Sequence, residues 1–266
     1  MEAVIKADWD YYRCYAGEEL ITYAEEKVRR FRDEELPDMY MHNFTAVYGL
    51  TEAVISRLWE EETDRAFRLG RDFFNLFYWG STPVSLPQVK TGAAEPSHYV
   101  YMKGPARELT DQLQADGCNI ARASTQQHYD DYGAFDIKVN GGNFGSDFCR
   151  RRSRHKSKVF AENTNLFLYL CYVKDQLAGV CEWFHHQETG LVKIEDFTVD
   201  PAMRGQGVGS AMLKQMITDA KRAGAGDLYL ITEADNMAAQ KLYQRFELER
   251  MDVVHVSWFT KLKDSQ

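Results

Sequence analysis

The sequence predicts an α/β (α+β) protein whose mixed, mostly antiparallel sheet is flanked by helices. Two observations carry this. Three apolar strand-like segments, 166–173, 177–184 and 192–199, follow one another with short connections, the pattern of an antiparallel meander. A glycine-rich segment then opens a helix whose apolar positions Val208, Met212, Met216, Ala220 and Ala223 recur at a period near 3.6.

Taken in order, residues 18–32 read as a helix, with Leu20, Ile21, Ala24, Val28 and Phe31 at helical spacing and Leu36-Pro37-Asp38 as its stop. Residues 43–48 read as a strand. Thr51 caps a helix with Ala53, Val54, Leu58, Ala66, Phe67 and Leu69 on its apolar side. The segment 80–96, with three prolines and two glycines, reads as a loop or lid. A strand over 98–102, a helix over 107–115 and a strand over 119–123 complete an N-terminal α/β domain of residues 1–125. In the second domain, 126–266, residues 134–139 read as a strand. Asn140-Gly141-Gly142-Asn143 reads as a turn into a helix reaching about residue 160. After the meander and the glycine-led helix come a strand over 228–232, a helix over 236–246 and a last strand over 252–259.

The 266 residues carry a net charge of −8, of which the first 64 hold −9 (16 Asp/Glu against 7 Lys/Arg). Such asymmetry suits two modules with different surfaces, or one solvated acidic face. No apolar run approaches the roughly 20 residues needed to cross a bilayer, and the acidic N-terminus is unlike a signal peptide. Five cysteines form no CxxC pair, and Cys171 and Cys181 read as small core residues. A soluble, cytoplasmic protein is expected.

Chemistry concentrates in 199–209, Val-Asp-Pro-Ala-Met-Arg-Gly-Gln-Gly-Val-Gly. Helix-start amides have no internal partner and the macrodipole is positive there, while glycines let main chain approach an anion; this is a phosphate cradle. A nucleotide-triphosphate loop needs Gly-Lys-Ser/Thr, whereas Gly209 is followed by Ser210-Ala211. A G-x-G-x-x-G fingerprint fails, because its third position is Ser210 or Met212. Arg204, Gly207 and Gly209 instead satisfy R-x-x-G-x-G, and Asn236, Ala239, Leu242 and Tyr243 satisfy N-x-x-A-x-x-L-Y. On these two motifs and the order of elements, residues 134–259 resemble the GNAT superfamily of acyl-CoA-dependent N-acyltransferases. Where that family has a Gly-Phe pair after the tyrosine, this chain has Glu247-Leu248, which bears on the local turn.

The resemblance implies a GNAT fold and an N-acetyltransferase moving an acetyl group from acetyl-CoA to a primary amine by direct attack in a ternary complex. It implies that Arg204, Gly205, Gln206, Gly207, Val208, Gly209 and Ser210 hold the pyrophosphate. Arg204 would serve phosphate or a structural carboxylate. Main chain at Phe197 and Val199 would pair with the pantetheine arm between two strands that part. Asn236 would bind that arm or simply cap its helix. Tyr243 would protonate the departing thiolate. Glu195 and Asp196 are the candidate bases; strict strand alternation lets only one face the cleft, and Glu195 is preferred. The alternative is a catalytically silent acyl-CoA-binding or regulatory module.

Arg150 to Lys158 packs six Lys/Arg into nine residues; the preferred reading is a solvated surface facing the acidic N-terminal module, ahead of nucleic acid or the cofactor's 3′-phosphate. Glu182, His185 and His186 resemble metal ligands, but a strand puts 185 on the other face from 182 and 186, so no metal is expected. The N-terminal half suggests a degenerate second GNAT-like domain that binds no CoA. It would wall the acceptor pocket, with loop 80–96 near the mouth and its carboxylates favouring a small-molecule or peptide amine that is cationic. No membrane or nucleic-acid partner is expected, and a homodimer is left open.

Overall fold

The computed structural model describes residues 1–23, 26–84, 86, 96–109, 117–251 and 255–263. Its backbone is a 12-stranded sheet in the order β1-β2-β3-β4-β12-β5-β10-β9-β8-β7-β6, with β11 (Glu249–Arg250) attached to β5. Parallel pairing occurs at β3/β4 and β9/β10; the other pairs are antiparallel.

The chain opens with a helix, α1 (Glu2–Arg13), to which the sequence reading assigned nothing. It buries Val4, Ile5, Ala7, Asp8, Tyr11 and Tyr12 along one stripe and packs on β8 and β9. The helix expected over 18–32 is instead a hairpin of β1 (Gly17–Tyr23) and β2 (Glu26–Arg32). The misleading signal has a physical source. Val28 and Phe31 are both fully buried, yet they lie on opposite faces of β2 and join different apolar clusters. A strand buried on both faces loses its two-residue alternation. β3 (Phe44–Tyr48), α2 (Glu52–Arg68) and β4 (Phe73–Gly80) then form a parallel β-α-β unit. β4 was not anticipated, although every residue in it is buried.

β5 (Ser97–Pro105) and β6 (Cys118–Arg122) lie where strands were expected. The helix expected over 107–115 falls largely outside the described residues, as does most of loop 80–96. The strand expected over 134–139 is part of α3 (Gln126–Phe144), which buries Tyr132, Phe135 and Asp136 at i, i+3, i+4. Alternating Phe135, Ile137 and Val139 mimicked a strand, but only Phe135 is a core residue. The break before α4 (Ser146–Glu162) comes at Gly145, φ 84°, beyond the expected turn at 140–143.

β7 (Leu166–Val173), β8 (Gln176–His186) and β9 (Leu191–Val199) form the expected meander. Lys174 and Asp175 take φ 47° and 63°, the mirror-type turn a tight hairpin needs. α5 (Val208–Arg222) packs Val208, Met212, Leu213, Met216 and Ile217 under β8–β10. β10 (Asp227–Glu233), α6 (Met237–Gln244) and β12 (His255–Leu262) follow.

The halves exchange strands. β5, which follows β4 in sequence, pairs with β10; β12, which follows β10, pairs with β4. β5 and β12 also pair with each other, so the sheet runs unbroken across the molecule. β6, just before residue 125, pairs with β7 and edges the C-terminal half. Among the described residues no helix is long and apolar enough to cross a membrane. The five cysteines are unpaired, with Cys171 and Cys181 fully buried.

Candidate active site

β9 and β10 pair only from Leu191–Ile194 to Asp227–Leu230. Beyond Ile194, β9 stays attached to β8 while β10 stays attached to β5, so the two parallel strands part. A groove of about 760 Å³ lies at this parting. Its walls include Phe197, Val199, Arg204, Gly205, Gln206, Gly207, Val208, Gly209, Ser210, Asn236 and Tyr243. All eleven residues assigned from sequence to the cofactor or to its departing thiolate thus border one cavity.

The loop reaches the groove for local reasons. Asp200 caps a short 3-10 turn by accepting from the Ala202 amide at 2.9 Å, and Lys138 pairs with its other oxygen. Gly205 and Gly207 take φ 76° and 86°, a region in which a β-carbon is costly. The first bond inside α5 runs from the Ala211 amide to the Gly207 carbonyl, so the amides of Val208, Gly209 and Ser210 have no helical acceptor. Gly209 serves close packing: a β-carbon there would stand 3.2 Å from Leu242 Cδ2. Arg204 is exposed, and its Nε donates to the Val199 carbonyl at 3.3 Å. Asn236 caps α6, its Oδ1 accepting from the Ala239 amide at 3.1 Å.

Tyr243 is 6% exposed, edge-on to Phe197 at 6.3 Å. Burial, helped by the charge of Glu195, pushes its phenol up to about 12, so it keeps its proton at neutral pH. Glu247 takes φ 62°, the left-handed conformation usually left to glycine, and Leu248 is fully buried. The turn after α6 is therefore made without the family's glycine.

The strict alternation expected of Glu195 and Asp196 is broken, and Asp196 borders a chamber beside β9 whereas Glu195 is among the walls of neither that chamber nor the groove. The β8/β9 register slips between Val180 and Glu182, and Asp196 bulges with φ 48°. The bulge breaks alternation and turns both carboxylates toward the α1/α4 side. Glu195 meets Lys193 at 2.9 Å, which in turn meets Asp8 of α1 at 2.7 Å. Asp196 pairs with Lys156 of α4, whose other partner is Glu182, itself bonded by Tyr11 at 2.7 Å and Tyr15 at 2.6 Å. Burial raises the Glu195 carboxyl, with Lys193 opposing. Asp196 lies well below the usual carboxylate range because the attraction of Lys156 outweighs its desolvation.

Asp8, Lys156, Glu182 and Lys193 had no place in the sequence reading of the reaction. Lys156 was assigned to a solvated basic surface, and that is corrected in part. Arg152 and Lys156 are buried on the stripe with Cys149, Val159 and Phe160, and Arg152 forks onto Asp136. The signal was the i, i+3, i+7, i+10 spacing of 149, 152, 156 and 159. The outward Arg151 and Lys158 do meet N-terminal carboxylates, Asp38 and Glu35.

On the other side of β9 lies a chamber of about 210 Å³, walled by Met39, Met41, Tyr132, Phe144, Asp196 and Thr198. Thr198 also borders the groove. An outer cleft of about 770 Å³ shares Met39, Met41, Phe144 and Arg152 with the chamber. The N-terminal half thus walls this path through residues 39–41.

Two parallel strands thus part beside a glycine-led helix start, with a cavity on each side of β9. Residues 142–247 match the Acetyltransferase (GNAT) family. The uncharacterized N-acetyltransferase CgeE of Bacillus subtilis is 23% identical over 233 residues, 85% of this chain and 86% of its own. An uncharacterized N-acetyltransferase of Methanocaldococcus jannaschii is 28% identical over 100 residues, 36% of this chain, and the match spans 44% of that relative's length. A GCN5-related N-acetyltransferase from Kribbella flavida shares the fold at TM-score 0.64 with 11% identity, over 98% of this chain and 96% of its own. A tandem GNAT protein from the clavulanic acid biosynthesis pathway does so at 0.56 with 9% identity, over 98% and 89%.

Proposed function

We propose that this protein transfers an acetyl group from acetyl-CoA to a primary amine by direct attack in a ternary complex. The observation that carries this reading is the shared wall at Thr198: the groove with its unpaired amides ends on one side of β9, and the chamber ends on the other. The amides of Val208, Gly209 and Ser210 would hold the pyrophosphate at the positive end of α5. The main chain of 197–199, unpaired toward β10, would bond the pantetheine amides as a neighbouring strand would.

An amine arrives as an ammonium with a pKa near 10 and must lose a proton before it attacks. Asp196, kept ionised by Lys156, would draw the ammonium to the chamber's inner end. Glu195, with its raised carboxyl, is the better proton acceptor, since a base works best with a pKa nearer the working pH. As nitrogen bonds the carbonyl carbon and the carbon–sulfur bond breaks, Tyr243 would give its proton to the thiolate. Glu195 then releases its proton to solvent and Tyr243 regains one.

The chamber has room for about seven waters at about 30 Å³ each, so it suits an unbranched aminoalkyl arm. The outer cleft presents Glu34, Asp38 and Asp72 beside Arg71 and Arg152, which favours an acceptor body with further positive charge. Thiol release with acetyl-CoA and a panel of polyamines, aminoglycosides, basic peptides and neutral amines tests this. Turnover of cationic amines is expected. Thermal stabilisation by acetyl-CoA without turnover of any amine would replace the reading with a silent acyl-CoA-binding module. Turnover of neutral amines alone would refute the cationic acceptor.

A further inference from the structure

Away from the reaction path, Asp33 and His42 of the N-terminal half meet His155 of α4. His42 Nδ1 is 2.8 Å and His155 Nε2 is 3.1 Å from Asp33 Oδ2. The three donor atoms lie within 4.8 Å of one another. The side chains are 2%, 9% and 1% exposed for His42, His155 and Asp33.

The two histidine contacts differ. His42 Nδ1 is hydrogen-bonded to Asp33. His155 Nε2 lies within ion-pair distance of Asp33 but is not aligned for a hydrogen bond. Its orientation is nevertheless fixed. Glu35 Oε2 lies 3.2 Å from His155 Nδ1, so a carboxylate stands at each ring nitrogen, Asp33 and then Glu35 raising the imidazole, and an ion at Nε2 would displace the proton held there. A carboxylate behind a histidine is the usual outer support of a metal-binding imidazole. Asp33 Oδ1 is held by the amides of Glu35 and Leu36 at 3.1 and 3.0 Å, which directs Oδ2 at the two rings. Tyr15 stacks on His42 at 4.5 Å and fixes that ring.

We propose that Asp33, His42 and His155 bind a divalent transition-metal ion of the zinc type, tying segment 33–43 to α4. Two imidazoles and one carboxylate are a donor set for such an ion, whereas calcium takes six to eight oxygens. A fourth position opens toward a cavity of about 570 Å³ bordered by Asp33, Glu35 and His155. Binding moves the His42 proton from Nδ1 to Nε2, freeing Nδ1 as a ligand. Burial holds the His42 imidazole down at about 4, so the ring is neutral at physiological pH. The ion has a structural consequence for the acceptor path. Segment 33–43 carries Met39 and Met41, and α4 carries Arg152; all three line both the chamber and the outer cleft. Glu182, His185 and His186, the set weighed in the sequence, lie on one strand, whereas these three come together only in the fold.

The test uses the full chain without a polyhistidine tag, stripped with a chelator and dialysed, in the absence of acetyl-CoA. Calorimetric titration with Zn²⁺ and absorption spectra with Co²⁺ are expected to show one ion per chain, a raised melting temperature and a tetrahedral-type Co²⁺ band. His155→Gln should weaken binding at least tenfold, while His185→Gln should leave it unchanged. No stoichiometric uptake of either ion by the parent would overturn the proposal and leave a hydrogen-bonded link only. Uptake undiminished in both His155→Gln and Asp33→Asn would equally overturn it. Neither result bears on acetyl transfer, which is read separately by thiol release.

Discussion

Asp196 holds a left-handed backbone without being glycine, and the bulge it makes decides where the two candidate carboxylates lie. Without it, Glu195 and Asp196 would face opposite sides of the sheet. With it, one carboxylate is raised by burial and the other lowered by Lys156, a division that suits a base beside an ammonium-binding anion. Glu195→Gln should lower kcat by about 10²- to 10⁴-fold, the usual contribution of a general base, with acetyl-CoA affinity unchanged by calorimetry. Asp196→Asn should mainly raise the KM of the amine. Its pH signature follows from the depressed carboxyl. The stability Asp196 contributes is complete above its unfolded value of about 3.9 and is lost as pH falls through the lower folded value. Urea midpoints measured from about pH 5 to about pH 3 should therefore fall less steeply in Asp196→Asn than in the parent. Both carboxylates were legible as candidates in the sequence. Their division of labour was not, because a bulge carries no sequence mark when its positive-φ residue is aspartate.

At the scale of the element, α5 and the loop before it were the most legible part of the chain. Glycine at 205 and 207 answers to backbone torsion, glycine at 209 to the approach of Leu242, and the apolar stripe of α5 to the underside of the sheet. Gly207→Val forces a β-branched residue to φ 86° and should weaken acetyl-CoA binding at least tenfold by calorimetry; unchanged affinity would refute the pyrophosphate assignment. α4 was harder to read. Its cations are spread around the helix, yet Arg152 and Lys156 are spaced to face inward together. Lys156→Met leaves Glu182 buried without its cation, and should cost about 3 kcal/mol or more in denaturant unfolding. β2 and β4 show the opposite limit. Their residues are covered on both faces, so neither a two- nor a four-residue period marks the element.

For the whole molecule, the strand exchange sets the unit of folding. β12, the last strand, is hydrogen-bonded to β4 and β5, and α1, the first helix, supplies Asp8 and Tyr11, and the turn after it Tyr15, to the buried cluster behind β9. Neither half retains all its sheet partners when cut from the other. A chain of residues 124–266 should fail to give cooperative unfolding by circular dichroism, and a chain ending at residue 250 should lose the N-terminal half's protection in hydrogen exchange. The intact protein should unfold in one transition, because apolar core residues from both halves form a continuous cluster running from Val4 through Phe77 and Leu168 to Trp258.

The sequence by itself determined the parts whose physics is local. These are the meander with its tight turn, the amphipathic helix, and the loop whose glycines and exposed amides can cradle an anion. Such features are written in spacing and backbone freedom, which neighbours in sequence enforce. Only the tertiary structure decided that α1 completes the charge cluster, that the halves trade strands, and that Asp33 and His42 meet His155. Those contacts join residues far apart in the chain, and burial and charge pairing there depend on which surfaces face each other, a quantity no periodicity records.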